Sequence, residues 1–173
     1  MAEDILKGET CPVCGKKTLT LTESDIEVPF FGKLFVFSMI CESCKYKKVD
    51  VEAAEQHEPA RYTLDVNTKE DLNARVIKSS EATVKIPYIG SIEPGPASEG
   101  FVSNIEGIIN KMKEQIEHWR DGEEDEAIKT KCKNMIKKLQ RALGASEELK
   151  IIIEDPTGNS AIISDKAKKE KLK

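Results

Sequence analysis

The run CPVCGKKTLTLTESDIEVPFFGKLFVFSMICESC, Cys11 to Cys44, opens and closes on the same pattern, two cysteines separated by two residues. Between the pairs lie TLTLTESDIEV (Thr18 to Val28) and KLFVFSMI (Lys33 to Ile40), and YKKVDV (Tyr46 to Val51) follows. All three are rich in β-formers, and the first alternates polar with apolar residues as a half-buried strand does. A two-residue spacer lets one tight turn deliver both sulfurs to the same side. Strands that lead away from one such knuckle and back to a second describe a zinc ribbon, with Cys11, Cys14, Cys41 and Cys44 as ligands. Four thiolates fill the tetrahedral shell of zinc and leave no open position, so the expected ion is single and structural. A redox reading fits less well, because a thiol-exchange CxxC opens a helix, whereas this one is followed by TLTLT.

At the far end of the two long strands stands VPFFGK, Val28 to Lys33. Adjacent residues of a strand point to opposite faces. Two readings of Phe30 and Phe31 therefore stay open: at least one is exposed as a contact for a partner, or both pack where the ribbon meets the rest of the chain.

The wider composition limits the function classes. The chain has 173 residues, 34% of them charged and 5% aromatic, with a net charge of −4. Five cysteines, an odd number, point to metal binding in a reducing compartment more than to a disulfide framework. The N-terminus has neither the basic start nor the apolar core of a secretory signal, and no run approaches the roughly 20 apolar residues of a membrane span. A cytoplasmic protein without membrane contact is expected. Residues 1–58 carry 7 Lys and 11 Asp or Glu. That is the wrong sign for phosphate binding, although Lys16, Lys17, Lys45, Lys47 and Lys48 keep a nucleic-acid-binding ribbon as the alternative function. His57 and His118 stand in no spacing that makes a metal or catalytic site, and the chain has no nucleophile elbow, P-loop or dinucleotide fingerprint. A protein that is not an enzyme is expected.

Beyond the ribbon (1–58) the pattern predicts a β domain over 59–165, with strands at RYTLDV (Arg61 to Val66), ARVIKS (Ala74 to Ser79) and ATVKI (Ala82 to Ile86). IGSIEPGPASEG then reads as a loop. A helical hairpin is predicted over about 101–143: Phe101, Val102, Ile105, Ile108, Ile109, Met112, Ile116 and Trp119 form one stripe, Ile128, Cys132, Met135, Ile136, Leu139 and Leu143 the other, and Gly144 stands at a left-handed cap. Strands return at LKIIIED and SAIIS around the turn PTGN. The late strands need early ones to pair with, so the hairpin reads as an insertion into one β fold. The basic tail 166–173, with 5 Lys and one Glu, reads as helical or disordered.

Five stretches in order, namely CPVCG, VPFFGKLFVFSMICESC, RYTLDV with EDLNARVIKSSEATVKIP, NIEGII and IIIEDPTGNSAI, make the chain resemble the ZPR-type zinc-finger family. Only one module is present, the arrangement of the family's archaeal members. The resemblance implies a zinc ribbon followed by a double-stranded β-helix, jelly-roll-like domain with an inserted helical hairpin. It also implies a function, binding a translation elongation factor 1-alpha class GTPase and assisting its folding. The ligands carry over to Cys11, Cys14, Cys41 and Cys44, but Lys45 stands where the family's second knuckle often has Gly. Phe30, Phe31, Asp155 and Asn159 are the candidate partner contacts, and turn chemistry alone also accounts for Asp155 and Asn159.

Overall fold

A computed structural model describes residues 3–29, 31–55, 57–95 and 98–172. Four strands, β1 (Glu3–Glu9), β2 (Leu19–Val28), β3 (Gly32–Cys41) and β4 (Lys47–Ala53), form one antiparallel sheet in chain order. The register pairs Leu19 with Cys41 at one end and Val28 with Gly32 at the other, so the ribbon is a long, narrow hairpin with a strand added on each side. β1 was not expected. Its sequence, EDILKGE, lacks strict alternation, and it is fixed by the backbone of β2, with a bulge between Lys7 and Glu9.

The remaining elements are β5 (Ala60–Val66), α1 (Lys69–Leu72), β6 (Arg75–Lys78), β7 (Thr83–Ile86), β8 (Gly90–Ile92), β9 (Phe101–Asn104), α2 (Ile105–Gly122), α3 (Glu126–Leu143), β10 (Leu149–Asp155), β11 (Ala161–Ile163) and β12 (Lys168–Lys171). They form a five-stranded sheet, β12-β5-β10-β7-β8, and a three-stranded sheet, β11-β6-β9. β10 lies between β5 and β7, and β11 pairs with β6. One strand from after the hairpin is thus laced between two from before it, and β11 and β12 add to earlier strands at sheet edges, as an inserted hairpin requires. The alternation along β5 and β10 turns Tyr62, Leu64 and Val66 with Leu149, Ile151 and Ile153 into the core, where Val76, Ile77, Ile105 and Ile109 complete the packing.

Four local expectations are corrected. Phe101 and Val102 belong to β9, not to the first helix, which begins at Ile105 behind the Asn104 side chain as its N-cap. β8 stands inside the segment read as a loop. The stripe of α2 is buried through Ile116, but Trp119 is 53% exposed. Gly144 ends α3 with φ −80, and the left-handed residue is Ala145, φ 52. Ala145 and Ser146 donate back to the carbonyls of Ala142 and Arg141 in a Schellman cap.

The basic tail is neither helical nor disordered over β12, which forms an edge strand. Lys168 to Lys171 pair with Thr63 to Ala60, Leu172 N–H donates to the Pro59 carbonyl, and Lys171 meets Glu58 at 3.0 Å. An edge strand needs only one backbone neighbour, and lysines along it discourage pairing with another chain. Upstream, Lys166 reaches the buried Asp71 at 2.7 Å. Asp71 also closes the capping box of α1 with Thr68.

Ribbon and β domain share one core. Val28, Leu34 and Val51, all buried, belong to the same apolar cluster as Leu64, Ile77 and Ile153, while Cys11, Leu19 and Cys41 form a separate small cluster at the knuckles.

Candidate functional site

The two knuckles are built alike. Cys11 N–H donates to Lys16 O and Gly15 N–H to Cys11 O; Cys41 N–H donates to Tyr46 O and Lys45 N–H to Cys41 O, all at 2.8–3.0 Å. Both turns need a left-handed residue after the second cysteine. Gly15 supplies φ 68 freely, whereas Lys45 adopts φ 61, a conformation that costs an L-residue about 1 kcal/mol. The departure from glycine at this position therefore keeps the knuckle geometry and adds strain.

The four sulfurs lie within 4.8 Å of one another, with Cys11 Sγ 3.7 Å from Cys44 Sγ and Cys14 Sγ 3.7 Å from Cys41 Sγ. A tetrahedron with Zn–S bonds of about 2.3 Å has S···S edges of about 3.8 Å. The donor set and its spacing fit one structural zinc ion. Around it, Val13 N–H points at Cys11 Sγ, and Thr18 Oγ1 lies 3.3 Å from Cys41 Sγ. The Thr18 hydroxyl, with help from the Cys44 amide, draws the Cys41 thiol below its ordinary value. When bound, zinc supplies the charge that lets all four thiolates coexist. Thr18 stabilises a ligand from outside the shell, and no cysteine spacing reveals it.

At the opposite end of the ribbon the candidate partner residues meet the β domain. Phe31 is half-buried against the shared core, and its ring packs at a tilt against His57, 4.8 Å between centroids. Its outer side lines a groove of about 500 Å³ with Tyr62, Ile163, Ala167 and Lys169. Of the two readings of the Phe pair, Phe31 thus takes part in both, packing at the seam while lining a groove; Phe30 lies outside the described residues.

Asp155 is 0% exposed. Its carboxylate accepts from Ser79 Oγ, Ser160 Oγ and both the amide and hydroxyl of Thr157. Enclosed in this way, it holds the PTGN turn onto the loop after β6 and does not reach a surface. Asn159 accepts from Ala53 N–H at 3.1 Å across the seam. Asp50, on β4, accepts from Ser80 N–H and Oγ. Gly158, φ 76, presses so close to the connector that a Cβ there would lie 2.5 Å from His57 O. Sequence reasoning said of His57 only that it stands in no metal or catalytic spacing, and did not single out Asp50, Ser79 or Ser80. Their partners at the seam are 26 or more residues away, and no local pattern announces such pairs.

Two family models match consecutive parts of the chain, a ZPR1 zinc-finger domain over residues 5–59 and a ZPR1 jelly-roll domain over 70–173. The chain belongs to the ZPR1 zinc-finger family. An uncharacterized ZPR1-like protein of Methanocaldococcus jannaschii is 40% identical over 167 residues, covering 94% of this chain and 83% of the relative. A ZPR1-like protein of Pyrococcus horikoshii is 36% identical over 175 residues, covering 98% and 78%. The zinc finger chaperone zpr1 of Schizosaccharomyces pombe is 32% identical over 156 residues, which are 88% of this chain but 33% of that protein. This ZPR1 family member is therefore matched along nearly its whole length by the archaeal relatives and corresponds to one third of the fungal one.

Proposed function

We propose that this protein binds an elongation factor 1-alpha class GTPase and assists its folding or assembly, acting in the cytoplasm and without catalysis of its own. The observation that carries the reading is Phe31. The turn between β2 and β3 and the shared core hold this aromatic ring at the mouth of a groove of mixed polar and apolar lining along β11 and β12. Half-buried aromatic anchors in a pre-formed groove are the usual centre of a protein interface. A zinc shell filled by four thiolates leaves no position for a substrate, which favours binding over chemistry at the metal. The acidic excess of residues 1–58 would steer a basic partner face. The family membership supports the choice of partner class, and the name of the fungal relative supports a chaperone role.

The test is co-purification of the zinc-loaded protein with a matched elongation factor 1-alpha class GTPase, nucleotide-free and with GDP or GTP. A complex is expected in at least one state, weakened about tenfold or more by Phe31→Ala, the loss expected of an anchor worth at least about 1.4 kcal/mol. Failure to form a complex in all three states would contradict the proposal.

A further inference from the structure

Among the described residues, Lys78 has no ion pair. It is 1% exposed, and its ammonium donates only to neutral groups, Ser79 O at 2.9 Å and Ser98 Oγ at 3.4 Å. Phe101 lies beneath it, with Nζ 5.8 Å from the ring centroid, and the same ring carries Lys111 Nζ at 3.7 Å. Among the described residues neither lysine has a carboxylate within ion-pair distance. Burial draws the Lys78 pKa down, Asp155, Asp50 and more weakly Glu81 act against it from a distance, and Lys111 adds to the lowering. Asp155 and Asp50 are already taken by hydroxyls and amides at the seam. A desolvated cation beside a second cation is expensive unless an anion joins them.

Both lysines open onto one cavity of about 420 Å³. Gly95 and Ser98 line it from the β8–β9 loop and Gln115 from α2, so hydroxyl and amide donors accompany the two ammonium groups. Glu93 and Glu99 line it too, and Glu93 is engaged by Ser91 Oγ. These acidic neighbours favour a small anion over an extended polyanion.

We propose that this cavity binds an oxyanion, a phosphate or a carboxylate, held between Lys78 and Lys111 with Ser98 as a neutral donor. Such an anion would pair two charges that repel one another and give the buried ammonium a charge-assisted hydrogen bond. It could come from a free phosphate compound or from an acidic side chain of a bound protein.

The zinc-loaded full chain is titrated with inorganic phosphate and, separately, with N-acetylglutamate amide as a carboxylate probe, at constant ionic strength set with sodium chloride. Amide shifts at Gly95, Ser98, Phe101 and Lys111 are expected to saturate with at least one probe. Saturation by phosphate assigns the site to a free phosphate compound, and saturation by the carboxylate alone assigns it to a partner's acidic side chain. Lys111→Gln, an exposed change on α2, is expected to weaken the saturating probe about five- to tenfold, as loss of one charge-assisted contact should, and Lys78→Met to abolish binding where that variant folds. Linear, unsaturated shifts with both probes, or an unchanged affinity in Lys111→Gln, would overturn the proposal.

Discussion

At one end of the ribbon's sheet, the buried cluster consists of Cys11, Leu19 and Cys41, with Leu21, Met39 and Tyr46 partly covering them. At the other end, Val28, Leu34 and Val51 are buried in the core that also holds Leu64, Ile77, Ile109 and Ile153. The same strands, β2 and β3, run through both ends. A cluster as small as the first cannot offset the entropy of ordering two knuckles, so its stability comes from the metal. The second end is held by ordinary apolar burial and by the Asp50 and Asn159 hydrogen bonds across the seam. One sheet thus has a metal-dependent half and a metal-independent half, and the Phe31 groove lies against the latter.

The largest expected effect is that of Leu34→Ala. Leu34 is a ribbon residue by sequence but has 0% exposure in the main core, so its truncation should cost about 2–5 kcal/mol and lower the melting temperature of the whole molecule. An effect confined to the knuckles would break the division drawn above. Next is Gly158→Ala, which combines a left-handed φ with a backbone clash against His57 O. A cost of about 1–3 kcal/mol is expected, with faster amide exchange at Ala53 as the Asn159 contact loosens.

Acid should act on the β-domain side. Lys166, the amides of Asn67 and Thr68 and the Thr68 side chain outweigh the burial that would raise the Asp71 pKa, and bring it down from 3.8 to about 2. A carboxylate depressed in the fold stabilises it fully above its unfolded value, and that contribution is lost as pH falls through the window from about 4 to about 2. Stability measured across this window should therefore decline in the wild type and more weakly in Asp71→Asn. Equal declines would show that other groups dominate. The smallest effect is expected at the second knuckle, where Lys45→Gly should relieve the strain at φ 61 and add about 1 kcal/mol to metal-loaded stability. Gly15→Ala at the first knuckle should subtract a similar amount.

Features with local periodicity were legible in the sequence. The two CxxC knuckles, strands β2 to β7, the hairpin and β10 announce themselves through spacing, and the paired cysteines alone specify the donor set. The elements that escaped depend on neighbours the sequence does not mark. β1 and β12 are edge strands held by one backbone partner, so they need no apolar alternation, and a lysine-rich β12 reads locally as a solvated tail. Phe101 and Val102 extend the apolar stripe of α2, yet they pair with Lys78 and Ile77, because the register with β6 outweighs helical spacing. The buried Asp155 looked like an ordinary turn residue that could also face a partner; its hydroxyl donors come partly from Ser79, 76 residues away. The merging of Val28, Leu34 and Val51 into the main core is likewise a long-range fact that no local pattern marks.

That division between metal-held and core-held halves is tested most directly by removing zinc while following amide hydrogen exchange along the ribbon. Chelation should expose the amides of Cys11, Gly15, Cys41 and Lys45 and of the adjoining ends of β2 and β3, while those of Leu34, Val51, Leu64 and Ile151 keep their protection. Loss of protection throughout the chain in one transition, or protection of the knuckles that survives without metal, would contradict it.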